Sequence, residues 1–162
     1  QKELKELSSK IKRHNYLYNV YNKIQPGSII ALDNHPVSYY ILDLLNSKNV
    51  KVSIVTYSTD IMKYLCENTA FDIIFTTGQI NSSLHTINGG TVVDKIKQLK
   101  IDYYFCEACY IDHKSYLYQI HEDIAELQKA LVNQAEASYL INYPDICNSD
   151  GKQNLSLIGQ LI

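Results

Sequence analysis

Between residues 28 and 142 the chain alternates short, continuously apolar runs with stretches of helical period, and this alternation constrains the fold more than any other feature. Ser28–Leu32, Val50–Val55, Phe71–Phe75 and Ile101–Phe105 read as strands, with Tyr139–Asn142 a fifth and Leu155–Ile158 a sixth. Helical patterns lie between them: Val37–Leu45, a helix capped by Thr59 or Asp60 that runs to about Asn68, Thr91–Leu99 behind Gly89-Gly90, and Glu122–Ala137. Strands alternating with helices at this spacing imply βαβ units and parallel pairing. Strands that are apolar at every position, not every second one, imply a sheet covered on both faces. The expected fold is a three-layer α/β domain, a mostly parallel sheet with helices on both sides. Ahead of it, Leu4, Leu7, Ile11 and Tyr18 recur at helical spacing in a lysine-rich segment that Pro26-Gly27 ends. This predicts a linker helix over residues 1–23 and an α/β domain over 24–162.

Composition narrows the function. The 162 residues suit one domain. An apolar fraction of 46% and a net charge of −2 exclude a disordered chain. The same charge disfavours a nucleic-acid-binding module, which carries a positive excess. No apolar run reaches the ~18–20 residues that span a bilayer. Four cysteines are too sparse for a disulfide scaffold, so a reducing, cytoplasmic setting is expected. The first residue is Gln1, not Met, and the chain is expected to be a fragment of a longer protein.

In open α/β sheets, ligands bind beyond the carboxyl ends of the strands, where the strand order reverses. That rule selects Asp33, Asn34 and His35 after the first strand and Thr56, Tyr57 and Ser58 after the second. Thr77 and Gly78 follow the third, and Cys106 and Glu107 the fourth. Asp33 and Glu107 are the one carboxyl pair placed to act together as acid and base, although single carboxylates at such tips commonly cap helices. Cys106-Glu107-Ala108-Cys109 is a CxxC with His113 four residues on. A zinc site would need a second ligand pair and none follows, so no metal is expected. No Walker loop, GxGxxG, HExxH or GxSxG occurs, and neither a cofactor nor catalysis is expected.

The order of these features resembles the C-terminal sensor domain of DeoR-family transcriptional regulators over about residues 10–146. The residues that carry the likeness are Ile24-Gln25-Pro26-Gly27-Ser28-Ile29-Ile30, Val50–Ser58, Thr77-Gly78-Gln79, Gly89-Gly90, Ile101–Phe105 and the helix from Glu126-Leu127-Gln128 through Ala135. The resemblance implies a fold like ribose-5-phosphate isomerase. It also implies a repressor of sugar metabolism that senses a small-molecule effector and oligomerises, touching DNA only through a further N-terminal domain. The effector site implied is Asp33, Asn34, His35, Thr56, Tyr57, Ser58, Thr77, Gly78 and Glu107. An isomerase-like enzyme of the same fold and a ligand-free interaction domain are the alternatives.

The departures from the family fall at its phosphate site. Where the family pattern has Asp-Ser-Gly-Thr-Thr, this chain has Asp33-Asn34-His35-Pro36-Val37, which lacks both hydroxyls and one N–H. Tyr57 stands for the family's Asn and Gln128 for its Lys. The later Asp-x-Ser-Lys reads Tyr143-Pro144-Asp145-Ile146. These changes predict a degenerate phosphate site and an effector, if any, of lower charge.

Overall fold

Strand β2 (Ile29–Leu32) is the axis about which the sheet is built. Pro26-Gly27 turns the chain into it, with Gly27 at φ +85°, a conformation glycine adopts without steric penalty. The computed structural model describes residues 4–6, 19–75, 78–148 and 154–161. From β2 the chain forms α2 (Pro36–Ser47), β3 (Ser53–Val55), α3 (Thr59–Asn68) and β4 (Asp72–Ile74). A hairpin of β5 (Gln79–Asn81) and β6 (Thr86–Asn88) follows, then α4 (Gly90–Ile96) and β7 (Ile101–Cys106). Next come β8 (Tyr110–Ile111), β9 (Tyr116–Gln119), α5 (Glu122–Gln134), β10 (Ala135–Leu140), β11 (Asp145–Ile146) and β12 (Ser156–Gln160). Residues 19–23 are helical (α1), and Leu4–Glu6 form β1.

The main sheet has six strands in the order β1-β10-β7-β2-β3-β4, all parallel. Its two faces carry separate apolar clusters. On one side α2 and α3 bury Ile41, Leu42, Leu45, Ile61 and Leu65 against Ile30, Leu32, Ile54 and Phe105. On the other, α4 and α5 bury Val92, Ile96, Leu127 and Leu131 against Ala31, Tyr104 and Leu140. Each fully buried Leu or Ile stabilises by about 1.5–3 kcal/mol. This is the expected three-layer α/β architecture. A second sheet, order β11-β8-β9-β12, extends from the tip of β7, and β12 packs on α5.

Three sequence expectations need correction. Leu4–Glu6 is not helical: it is a strand paired in parallel with β10, with Leu4 opposite Ser138. A parallel sheet leaves unpaired N–H and C=O groups along its outer strand, and this segment takes them up in place of helix hydrogen bonds. Residues 19–23 are helical as expected, and the rest of the predicted linker helix lies outside the described residues. Helix α5 ends at Gln134, three residues early, because Ala135–Leu140 pairs with β7. The sixth predicted strand is real but joins the small sheet, antiparallel to β9, through a bulge at Leu157/Gly159.

Candidate functional site

The strand order reverses between β2 and β7. From β2 the chain proceeds outward to β3 and β4, then returns to β7 on the other side. The carboxyl ends of β2 and β7 therefore flank the switch point, the crevice where open α/β sheets bind ligands. Asp33 follows β2 there and Glu107 follows β7, and the Asp33 N–H bonds to the Phe105 carbonyl of β7 at 2.9 Å.

Asp33 is buried, at 2% exposure, and its carboxylate collects four donors. Tyr57 Oη donates to Oδ1 at 2.9 Å, and Tyr104 Oη lies 2.7 Å from Oδ1 and 2.8 Å from Oδ2. The Glu107 backbone N–H donates to Oδ2 at 2.7 Å, and Gln128 Nε2 at 2.9 Å. Tyr57 comes from the end of β3, Tyr104 from within β7 and Gln128 from α5, so four elements converge on one carboxyl group. Burial pushes the Asp33 carboxyl up, against the opposing effect of these hydrogen bonds. Glu107 is half-buried beside it; desolvation first and the Asp33 charge second raise its carboxyl to about 7. Among the described residues, no lysine or arginine acts on either carboxyl. Burial likewise drives the Tyr57, Tyr104 and Cys106 groups well above their ordinary values, so all three stay protonated at neutral pH. Chemically this is a pair of carboxyl groups that burial makes harder to ionise, with phenolic and amide donors around Asp33. It suits neutral or donor-rich groups better than an anion.

The other predicted residues divide. Thr56 and Ser58 are buried at the tip of β3, but their hydroxyls serve the backbone. Thr56 Oγ1 accepts the Ser58 N–H at 3.0 Å, and Ser58 Oγ accepts the Ile61 N–H at 3.3 Å, so Ser58 and not Thr59 or Asp60 caps α3. His35 caps α2: its Nδ1 accepts the Val37 N–H at 3.2 Å, and the Ser38 N–H goes to the His35 carbonyl at 2.9 Å. Asn34 is exposed, donating to Asp60 and accepting from Tyr39. Gly78 is a packing position, since a Cβ there would lie 2.6 Å from Val92 Cγ2 and 2.8 Å from the Asn88 carbonyl oxygen. Thr77 lies outside the described residues. The structure thus brings Asp33, Tyr57 and Glu107 together, keeps Thr56 and Ser58 beside them in structural roles, and leaves Asn34 to a surface cluster.

Two residues at the centre, Tyr104 and Gln128, are missing from the sequence-predicted site. Tyr104 lies inside a strand and not at its tip, but period-two alternation puts it on the face of Cys106. Gln128 is a polar residue on the buried stripe of α5, between Ile124 and Leu131; its alignment with the family's Lys at the phosphate site, and this interruption, are its signals. Cys106 is buried, and Cys109 donates to Gln119 Oε1 at 3.0 Å. Among the described residues no three metal-ligating side chains gather. No helix among them is long and apolar enough to cross a membrane.

A doubly covered parallel sheet with polar groups gathered at its switch point defines the class, an α/β domain with a crevice at the place where such sheets bind ligands. The family model of the DeoR C terminal sensor domain matches residues 18–142, and the chain belongs to that family. Comparison with curated proteins finds no match. Among solved structures, eIF2B delta from Chaetomium thermophilum matches with a TM-score of 0.59 and 14% identity, over 90% of this chain and 51% of that one. Ribose 5-phosphate isomerase from Plasmodium falciparum matches with a TM-score of 0.51 and 16% identity, over 83% of this chain and 52% of that one. The tetrameric eIF2B-beta2-delta2 complex from C. thermophilum gives 0.55 and 14%, over 84% and 42%. The chain spans about half the length of the structures it matches, and at these identities the likeness is one of fold. The expected isomerase-like fold is therefore the observed one, and the domain is a regulatory sensor by family.

Proposed function

We propose that this chain is the effector-sensing and oligomerising part of a DeoR-like transcriptional repressor of sugar metabolism, acting in the cytoplasm and reaching DNA through a separate N-terminal domain. Residues 24–162 carry the sensor, and the segment before them leads toward the DNA-binding unit. The effector-binding residues are Asp33, Tyr57 and Glu107, bordered by Asn34, His35, Thr56, Ser58, Thr77 and Gly78. One observation carries this reading: among the described residues, a carboxyl group follows each of the two strands at the switch point, and no cation acts on either. A bound effector favours one arrangement of the protein over another by its differential affinity, which is how occupancy reaches the operator.

The same geometry argues that the effector is not a sugar phosphate. A phosphate at the start of α2 needs free backbone N–H groups. Pro36 has none, and the N–H groups of Val37 and Ser38 are both taken by His35. Losing three charge-assisted hydrogen bonds at ~1.5 kcal/mol each weakens binding about a thousandfold. Calorimetry of the chain with pentose and hexose phosphates at pH 7 is expected to give dissociation constants weaker than about 100 µM. One tighter than that overturns the reading.

A second reading is an interaction domain that binds no small molecule. It is favoured by Asp33, whose four donors are all the protein's own. A panel of neutral and amine-bearing metabolites separates the two, because a melting-temperature rise with any member excludes the ligand-free domain.

A further inference from the structure

The carboxyl group of Asp33 is one end of a buried chain of side-chain amides. Gln128 Nε2 donates to Asp33 Oδ2 at 2.9 Å and to the Glu107 carbonyl at 2.7 Å. Gln128 Oε1 accepts from Gln119 Nε2 at 3.3 Å. Gln119 Oε1 in turn accepts the Ile120 N–H at 2.9 Å and the Cys109 thiol at 3.0 Å. Both glutamines are buried, Gln128 at 1% and Gln119 at 8% exposure. The chain leaves the switch point on α5 and arrives on β9, in the small sheet.

Backbone groups at the two ends fix its direction. The Ile120 N–H can only donate and the Glu107 C=O can only accept, so Gln119 must present oxygen to the first and Gln128 nitrogen to the second. Turning over Gln128 alone would set its oxygen against the Asp33 carboxylate and its NH2 against that of Gln119. Turning over both would set the Gln119 NH2 against the Ile120 N–H. The two amides therefore have one good joint arrangement, and displacing either one disturbs the bonds of the other. Anything that donates a proton or a hydrogen bond to Asp33 Oδ2 competes with Gln128 Nε2 and acts on the whole chain.

We propose that Gln128 and Gln119 are positioning residues that couple the Asp33–Glu107 pair to the small sheet, so that a proton or donor group taken up at the switch point is read at the Ile120 backbone. The proposal rests on the effector site lying at that pair, but its test needs no effector. Glu107, raised to about 7, supplies the input when pH is varied. The groups facing the pair are Asp33 on β2, Tyr57 after β3, Tyr104 and Cys106 on β7 and the neutral Gln128 on α5. The tyrosines and Cys106 are pushed upward and keep their protons between pH 5.5 and 8.5. At the far end Cys109 is also pushed up, Glu122 is exposed on α5, and His121 adjoins Ile120. His121 makes no side-chain cap bond to α5, so His121→Gln serves as the background and removes its signal.

The experiment follows the Ile120 amide by 1H–15N NMR from pH 5.5 to 8.5 in the full 162-residue chain, with Glu107 followed through its side-chain carboxyl carbon. The Ile120 amide is expected to titrate with the midpoint of the Glu107 carboxyl. Glu107→Gln is expected to abolish that transition. Gln128→Met and Gln119→Met are expected to remove it from Ile120 while the carboxyl still titrates, an effect that packing alone does not produce. An Ile120 amide that does not move with Glu107, or that still moves in either folded Met variant, overturns the proposal. Gln119→Met leaves the Gln128–Asp33 bond in place and decides the matter if Gln128→Met does not fold. A failure of small molecules to bind would overturn the effector reading and leave this result standing.

Discussion

A carboxyl group that has lost much of its water and gained no cation resists ionisation, and at Glu107 this has a consequence for stability. Its carboxyl rises from the usual 4.5 to about 7 in the folded chain. Between those values the folded state binds more protons than the unfolded one, so stability is full below about 4.5, falls as pH rises through 7 and is level above. Glu107→Gln removes this slope. Melting at pH 5 and pH 8 is expected to show the variant gaining on the parent at the higher pH by on the order of 1 kcal/mol, after allowance for solvent screening of a half-exposed side chain. For a chain of this size that is roughly 2–4 °C. A gap between variant and parent that does not change with pH contradicts the assignment. Asp33 adds a slope of the same sign, and because its charge acts on Glu107 the comparison reads the pair and not Glu107 alone. The strand-tip rule found Asp33, Tyr57 and Glu107 from sequence because each follows an apolar run. It could not find Tyr104 or Gln128, which reach the site from inside a strand and from a helix.

At the scale of elements, legibility tracked how much apolar surface each segment buries. Strands β2, β3, β4 and β7 fell inside their predicted runs, apart from the last residue of β7, because both faces of the sheet are covered. The β5–β6 hairpin and strands β8 and β11 are two or three residues long, and the hairpin strands each set a single isoleucine, Ile80 or Ile87, between polar residues, too short an alternation to read. Their pairing is decided by neighbours far along the chain, such as the Ile87 N–H on the Tyr57 carbonyl at 2.8 Å. The boundary between α5 and β10 was unreadable for the same reason: Ala135 to Ala137 continue a helical pattern, and β7 overrides it. Gly78 joins the hairpin to this frame. Gly78→Ala is expected to destabilise by about 1–3 kcal/mol, because the backbone oxygen of Asn88 cannot move aside as a side chain could. His35→Ala is expected to remove about 1 kcal/mol with the N-cap of α2. Urea unfolding of the two variants checks both values, and unchanged midpoints would mean that neither contact holds its element.

At the scale of the whole molecule, the proposed role predicts self-association. A repressor reads two operator half-sites through a symmetric assembly, and the sensor domain is the natural place for the contact. Phe75, Ile80, Ile120 and Ile146 leave apolar area exposed on this chain. Light scattering is expected to give a dimer or tetramer, and a mass of 18.6 kDa at high concentration would refute this. The sheet's outer edge has a consequence of a different kind. Leu4–Glu6 lies against β10, whose residues Ser138 to Leu140 stand near the opposite end of the chain. During synthesis, β1 is thus made more than a hundred residues before β10 and has no partner in this sheet until β10 has left the ribosome. Strand β10 is itself seated by β7, so assembly runs from the centre of the sheet outward, as translation does from β2 to β4 and from β7 to β10, and β1 alone is out of step. Of the strands in this sheet, the one earliest in sequence is the last that can be placed.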